Sequence, residues 1–296
     1  MSDPHWPTAA SWLAQGTAPA ALTVLGIPTH ATSISPTGAH ATPAAVRAAL
    51  QRYSTFVSGV DLHAVGVTDV GDVVNPDGDE GEMRVAAAVA AIRTDLLFGI
   101  GGDNSLTYSM GVGRWGNNIT SAGLITFDAH HDVRDGVSNG SPVRRLIEAG
   151  LAGNRVVQVG IADFSNSPFY AERVREYGIT VIPRSELRQR TIADVMDQAL
   201  AIAGSAGGPI HVDLDLDVCD RSVVPGCPAA APGGISADEL RQAARLAAAS
   251  PLVGSMDIAE IDATRDSADE RTVRLGALCL LEAAAGFATR PALAGQ

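Results

Sequence analysis

The apolar run Ile125–Phe127 stops at Asp128 and delivers Asp128, His130 and Asp132 within five residues. Residues two apart share a face of a strand, so these three side chains are expected to reach one point. Two carboxylates and an imidazole there suit a divalent cation better than a proton relay, because adjacent carboxylates repel unless positive charge lies between them. The plainer alternative makes Asp128 a helix cap and His130 and His131 ordinary loop residues. A second acidic stretch, Asp213-Leu-Asp-Leu-Asp217, weighs against it. Its aspartates alternate with apolar Val212, Leu214 and Leu216, which places three carboxylates on one strand face at a cost that needs compensation. Asp213 and Asp220 can still be read as strand-end and turn residues. For Asp215 and Asp217, taken with Asp128, His130 and Asp132, a two-cation site is the simplest reading. Two cations roughly 3.5–4 Å apart are a known device for hydrolysis at neutral pH. A shell dominated by oxygen favours manganese over zinc.

The elements that must position these groups alternate along the chain. Short apolar runs at 22–27, 65–70, 96–100, 123–127, 156–159, 179–182, 210–217 and 253–260 read as buried strands. Helices are expected at 43–50, with Thr42 as N-cap and Pro43 in its first position, and at 80–94, 141–149, 168–177, 192–203, 238–249 and 269–285. This alternation predicts an α/β chain with a mostly parallel sheet covered by helices on both faces. No linker divides it, so one domain over 1–296 is expected, with 1–20 an N-terminal arm and 291–296 a loose tail. In such sheets the ligand site lies beyond the carboxyl ends of the strands. Gly101–Ser105, Asp128–Asp132, Asp215 with Asp217, and Glu260 each follow an apolar run on that side, so they should converge on one edge.

Composition narrows the chemistry. A formal charge of −12 disfavours nucleic acid and anionic membranes as partners. All 21 basic residues are arginine, which excludes a lysine Schiff base, lysine-bound pyridoxal phosphate and a Walker A loop. Cys219, Cys227 and Cys279 have neither disulfide-framework nor zinc spacing and read as reduced thiols. Cys227 reads as a small residue packed beside two prolines, and His211 as buried support. The N-terminus lacks the pattern of a signal peptide, so a cytoplasmic protein is expected.

Beyond this chemistry, the sequence resembles the ureohydrolase family of arginase, agmatinase and formimidoylglutamase. The resemblance rests on Gly101-Gly-Asp-Asn-Ser105, Asp128-Ala-His-His-Asp132, Asp215-Leu-Asp217 with Asp220 three residues on, and Ser255-Met-Asp-Ile-Ala-Glu260, and it runs from about residue 20. It implies a three-layer α/β/α fold, often assembled as a trimer or hexamer, and two manganese ions. Asp128 and Asp215 would bridge the ions, His130 and Asp217 would complete one shell, and Asp132 would belong to the other. Two departures stand out. Asn104 replaces the histidine that is the last ligand in arginase and agmatinase, and Asn139 replaces the histidine that shuttles protons in agmatinase. An asparagine oxygen can ligate a hard cation weakly, but the amide cannot shuttle protons. A metal-poor, non-catalytic member of the family is the reading these departures leave open.

Both asparagines also occur in the formimidoylglutamase branch, which this chain resembles through Phe127–Arg134, Asn139–Arg145, Phe164–Ser167 and Pro225–Pro228. The branch implies hydrolysis of N-formimidoyl-L-glutamate, a small amidine, to L-glutamate and formamide in histidine breakdown. A guanidino-acid ureohydrolase releasing urea is the alternative. On the first reading, Glu260 accepts hydrogen bonds from the formamidinium, and Asp132 moves a proton from water to the departing amine. The glutamate carboxylates call for guanidinium groups. Arg134 and Arg144, which follow the metal loop, and Arg265, which follows Glu260, are the candidates, with Asn139 beside them.

Overall fold

The computed structural model describes residues 5–16, 21–57 and 59–291. Strands β1 (Leu22–Ile27), β2 (Val67–Asp72), β3 (Leu96–Gly101) and β4 (Gly123–Phe127) are followed by β5 (Val156–Ile161), β6 (Thr180–Pro183), β7 (Ile210–Asp215) and β8 (Val253–Ala259). They form one sheet in the order β2-β1-β3-β8-β7-β4-β5-β6. Every neighbouring pair in it runs parallel. The last strand inserts between β3 and β7, so segments distant in sequence bring their carboxyl ends together at the middle of the sheet. That is where a ligand site is expected in an open parallel sheet.

The helices are α1 (Ala9–Gln15), α2 (Thr42–Ala49), α3 (Gly78–Ala91), α4 (Leu106–Trp115), α5 (Pro142–Glu148), α6 (Pro168–Tyr177), α7 (Ile192–Ala203), α8 (Ala237–Ala249) and α9 (Arg271–Phe287). α7 packs on α8, α8 on α9 and α9 on α2, while α3 packs on α4 and α4 on α5. The two groups cover opposite faces, which the strand alternation shows directly. Leu96, Phe98, Ile100, Ile125, Phe127, Val212, Leu214, Met256 and Ile258 share one apolar cluster with α8 and α9, whereas Leu97 and Leu124 face the clusters of α3, α4 and α5. Burial on both faces explains why β1, β3, β4, β5 and β7 are buried at every position, and why all of these but β7, which carries His211, Asp213 and Asp215, read as largely apolar runs.

Several expectations need correction. The N-terminal stretch is not all arm, since α1 forms there and buries Trp12 and Leu13, with the Trp12 indole donating to Val65 O at 3.1 Å. Residues 1–4 and 17–20 of that arm, and 292–296 of the expected tail, lie outside the described residues. Thr42 is the first residue of α2 rather than its cap, because its hydroxyl donates to Ile261 O at 2.5 Å. β7 ends at Asp215, and Leu216–Val218 turn as a 3-10 helix. Helix α4 had no sequence expectation. It contains Gly111 and Gly113, which are poor helix formers, yet a Cβ on Gly113 would come within 2.6 Å of the Ala86 carbonyl oxygen in α3. The glycine that weakens the helix signal is what lets the two helices approach.

Candidate metal centre and active site

Asp128 follows β4 directly, and its backbone N–H donates to Val159 O of β5 at 3.0 Å. The chain then leaves the sheet. Asp132 has φ +51°, so the expected strand alternation ends at Asp128; Asp128 and His130 come together through a turn instead, and Asp132 lies outside the group whose ligand atoms are all within 4.8 Å of one another. The loop is fixed at both ends: Arg144 N donates to Asp132 O at 3.2 Å, and Arg134 N to Gly140 O at 2.9 Å. Asp217 likewise reaches the site from the 3-10 turn rather than from β7, and its carboxylate accepts from Ala129 N at 2.9 Å.

Asp128, His130 and Asp217 offer ligand atoms that all lie within 4.8 Å of one another. His130 Nδ1 is 2.8 Å from Asp217 Oδ2 and 3.5 Å from Asp128 Oδ1. Asp215 joins the cluster by accepting from Asp217 N at 2.8 Å. All the carboxylates are buried. Burial, reinforced by the charges of Asp132 and Asp217, holds Asp128 well above the usual carboxylate range. Burial and the charges of Asp217, Asp128 and Glu260 do the same to Asp215. Burial raises Asp132 to about 7. Burial alone would depress His130, but the charge and hydrogen bond of Asp217 outweigh it and lift the imidazole to about 9. The same histidine lowers Asp217, against the effect of its burial.

A buried group of like charges with one imidazolium among them lacks positive charge. Asp128 Oδ2 is buried with no hydrogen-bond partner among the described residues, as a carboxylate oxygen reserved for a cation would be. The residues present therefore fit a divalent cation, with oxygen donors in the majority.

Asn104 behaves differently from its expected role as an oxygen ligand. Its Oδ1 accepts from the Thr107 hydroxyl at 2.9 Å, and its Nδ2 donates to Asp132 Oδ2 at 2.7 Å. Glu260 follows β8 directly, with φ +63°. Its Oε1 accepts from Asn104 N and from Asn139 Nδ2, both at 2.8 Å, and no described residue donates to Oε2. Burial and the charge of Asp103 raise Glu260 to about 8, against these two hydrogen bonds. The approach of the β3 loop depends on Gly102, where a Cβ would meet Thr29 O at 1.9 Å.

A cleft of about 250 Å³ opens over the loop, lined by His130, Asp132, Arg134, Asn166 and Tyr170 among others. Arg134 is exposed and makes no ion pair or hydrogen bond through its guanidinium among the described residues. Arg144, expected beside it, is committed elsewhere. Its Nε donates to Arg134 O at 2.7 Å, Nη2 to Gly136 O at 2.5 Å, and Nη1 to both Glu148 oxygens at 2.6 Å. Arg265 is two-thirds exposed, 3.7 Å from Asp262, and does not line the cleft. His131 turns away from the cluster: Nδ1 contacts Gln158 Oε1 at 2.7 Å, and Gln158 Nε2 returns to His131 O at 2.7 Å. The three thiols are buried, and burial pushes each of them up.

Sequence reasoning missed Thr107, Gln158 and Arg184. Gln158 had a readable signal, a single amide inside the apolar run of β5. Arg184 had none; it follows β6 and its Nη2 donates to Val218 O at 3.0 Å, bracing the turn that carries Asp217.

An acidic, cation-fitting cluster at the centre of an eight-stranded parallel sheet, beside a buried glutamate with one open oxygen, defines a metal-dependent hydrolase of the arginase type. The arginase family model matches residues 20–286, and the chain belongs to that family. Within it the chain is similar to a formimidoylglutamase of Bacillus subtilis (strain 168), 32% identical over 281 residues that cover 90% of this chain and 88% of the relative. The crystal structure of formimidoylglutamase from Bacillus subtilis subsp. subtilis str. 168 superposes with a TM-score of 0.92 at 29% identity, covering 98% of this chain and 95% of that one. A Trypanosoma cruzi formiminoglutamase solved with Mn2+2 gives 0.89 at 27% identity, covering 97% and 100%.

Proposed function

We propose that this protein hydrolyses N-formimidoyl-L-glutamate to L-glutamate and formamide, using two manganese ions. Asp128, His130, Asp132, Asp215 and Asp217 would hold the ions, and Asn104 would support Asp132. When bound, such a pair lowers the pKa of water and stabilises charge that develops on the attacked carbon's substituents. The observation that carries the substrate reading is Glu260, whose Oε1 is saturated by Asn104 and Asn139 and whose Oε2 stays open. An amidinium is planar and cationic with N–H donors, and a fixed carboxylate oxygen is its matched acceptor in a buried site.

The remaining steps follow from the chain's own groups. Glu260 orients the formamidinium, and Asn139 keeps Glu260 from swinging. Asp132, held at Oδ2 by Asn104, takes the proton that the attacking water loses and returns it to the departing amine. Arg134, unpaired at the cleft, meets a glutamate carboxylate. Homology to formimidoylglutamases supports the same substrate class. A homo-oligomer in the cytoplasm, acting in histidine breakdown as one catalytic unit per chain, completes the reading. Among the described residues no helix is long and apolar enough to cross a membrane.

The test is metal analysis together with a product assay on formimidoylglutamate, arginine, agmatine and guanidinobutyrate. Formamide from the first, with little or no urea from the others, is expected. Equal turnover of agmatine, which has no carboxylate, would overturn the assignment.

A further inference from the structure

Beneath the metal centre lies a buried polar row that the proposed chemistry does not use. The apolar residues of β7 and β8 face α8 and α9, so His211, Asp213, Ser255 and Asp257 point to the other face, which α4 covers; each is at most 1% exposed. His211 Nε2 is 2.9 Å from Asp257 Oδ2, and its Nδ1 is 2.8 Å from Ser255 Oγ. Thr107 Oγ1 is 3.2 Å from Asp257 Oδ2 and 2.9 Å from Asn104 Oδ1. Asn104 Nδ2 then donates to Asp132 Oδ2 at 2.7 Å. An unbroken run of contacts thus links His211 to a metal-type carboxylate.

The direction of this run turns on one proton. A threonine hydroxyl can donate once, and here it faces two acceptors. Asn104 Oδ1 is the nearer of the two, at 2.9 Å against 3.2 Å, and no other described residue donates to it, whereas Asp257 Oδ2 has a His211 ring nitrogen within 2.9 Å as well. The proton therefore belongs to Asn104 Oδ1. That choice fixes which end of the Asn104 amide faces the metal centre. Reversing the amide would require the hydroxyl to turn to Asp257 and would remove the donor from Asp132.

We propose that Thr107 is a positioning residue for the metal centre: its hydroxyl, backed by Asp257 and His211, locks the Asn104 amide as a donor to Asp132 instead of an oxygen ligand to the cation. The inference rests on the two-cation reading of the site. It assigns Thr107 a part in metal loading although its side chain touches neither the cleft nor a carboxylate ligand. Outer-shell partners of metal ligands are worth about 10–100-fold in affinity or activity.

The experiment is a manganese titration by calorimetry of the wild-type protein, Thr107→Val and Thr107→Ser, each alone and with Asn104→Ala, with kcat and KM at saturating metal. Thr107→Val is expected to weaken one of the two equivalents by about 10–100-fold and to lower kcat more than it changes KM. Thr107→Ser, which keeps the hydroxyl, should match the wild type, and without the Asn104 side chain the valine substitution should add nothing. Unchanged manganese affinity in Thr107→Val, or the same loss with and without Asn104, would overturn the inference. Should Thr107→Val not fold, neutron diffraction of the manganese-loaded wild type decides. A deuteron on the line to Asn104 Oδ1 supports the lock, and one directed to Asp257 Oδ2 refutes it. A wild-type chain that takes up no manganese would remove the two-cation reading itself and this inference with it.

Discussion

Asn139 and Glu260 stand 121 residues apart in the chain and meet in a 2.8 Å hydrogen bond from Nδ2 to Oε1. Asn139 is in turn tied to the loop after β1, because its Oδ1 accepts from Ile34 N at 3.0 Å. The Asn139 amide is therefore a strut for Glu260. A hydrogen bond to a charged group is worth about 1.5–3 kcal/mol, so Asn139→Ala should lower kcat/KM by about 10–100-fold. Manganese content should not change. Steady-state kinetics with parallel metal analysis reads both, and loss of metal in this variant would contradict the assignment.

Asp132→Asn should leave much of the metal bound and reduce turnover by about 10²–10⁴-fold, the range of a lost general acid–base group. An asparagine still offers an oxygen but cannot carry the proton. Full activity in this variant would eliminate the proton-transfer role.

Arg134 and Arg144 should separate into binding and stability. Arg134 is exposed and unpaired at the cleft, so Arg134→Gln is expected to raise KM for formimidoylglutamate by about tenfold or more, with the melting temperature unchanged. Arg144 pins the carbonyls of Arg134 and Gly136. Arg144→Ala should therefore lower stability by about 2 kcal/mol in urea unfolding. The reverse pattern, with substrate affinity following Arg144 and stability following Arg134, would sink this division.

The metal-free protein should lose stability as pH rises. Asp132 is raised from 3.8 to about 7, Glu260 from 4.5 to about 8, and His130 from 6.5 to about 9. Between each pair of values the folded chain holds a proton that the unfolded chain has released, so stability falls with pH across those windows. Asp217, lowered in the folded chain, opposes this only at the acid end. Cation binding must displace the same protons, so manganese affinity should climb over the same interval. Thermal melts between pH 5 and pH 9 in the presence of chelator, repeated with manganese, test the pair. A metal-free melting temperature that climbs steadily to pH 9 would contradict it.

The identities of the acidic residues were legible in the sequence because each follows an apolar strand, and strand ends at the middle of a parallel sheet converge. The geometry by which they meet was not. Strand alternation placed Asp128, His130 and Asp132 on one face, but the chain turns at Asp132. Asp213, Asp215 and Asp217 were read as one row, but Asp217 belongs to a turn. The orientation of Asn104 depends on α4, whose glycines serve packing against α3 and erase the helical signal. The role of Arg144 could not be told from that of Arg134 by spacing, since their fates differ only in what the folded loop offers each guanidinium.

Asp132 and Glu260 share a backbone trait: both adopt positive φ without being glycine. Such conformations cost about 1–3 kcal/mol each, and glycine would relieve them. Evolution or design directed only at thermal robustness would thus be drawn to these two positions, as it would to Asn75, Phe164 and Glu270, and at these two it would produce a hardier protein with its chemistry gone. Retention of acidic side chains there across a set of heat-tolerant descendants would mark continued selection for turnover.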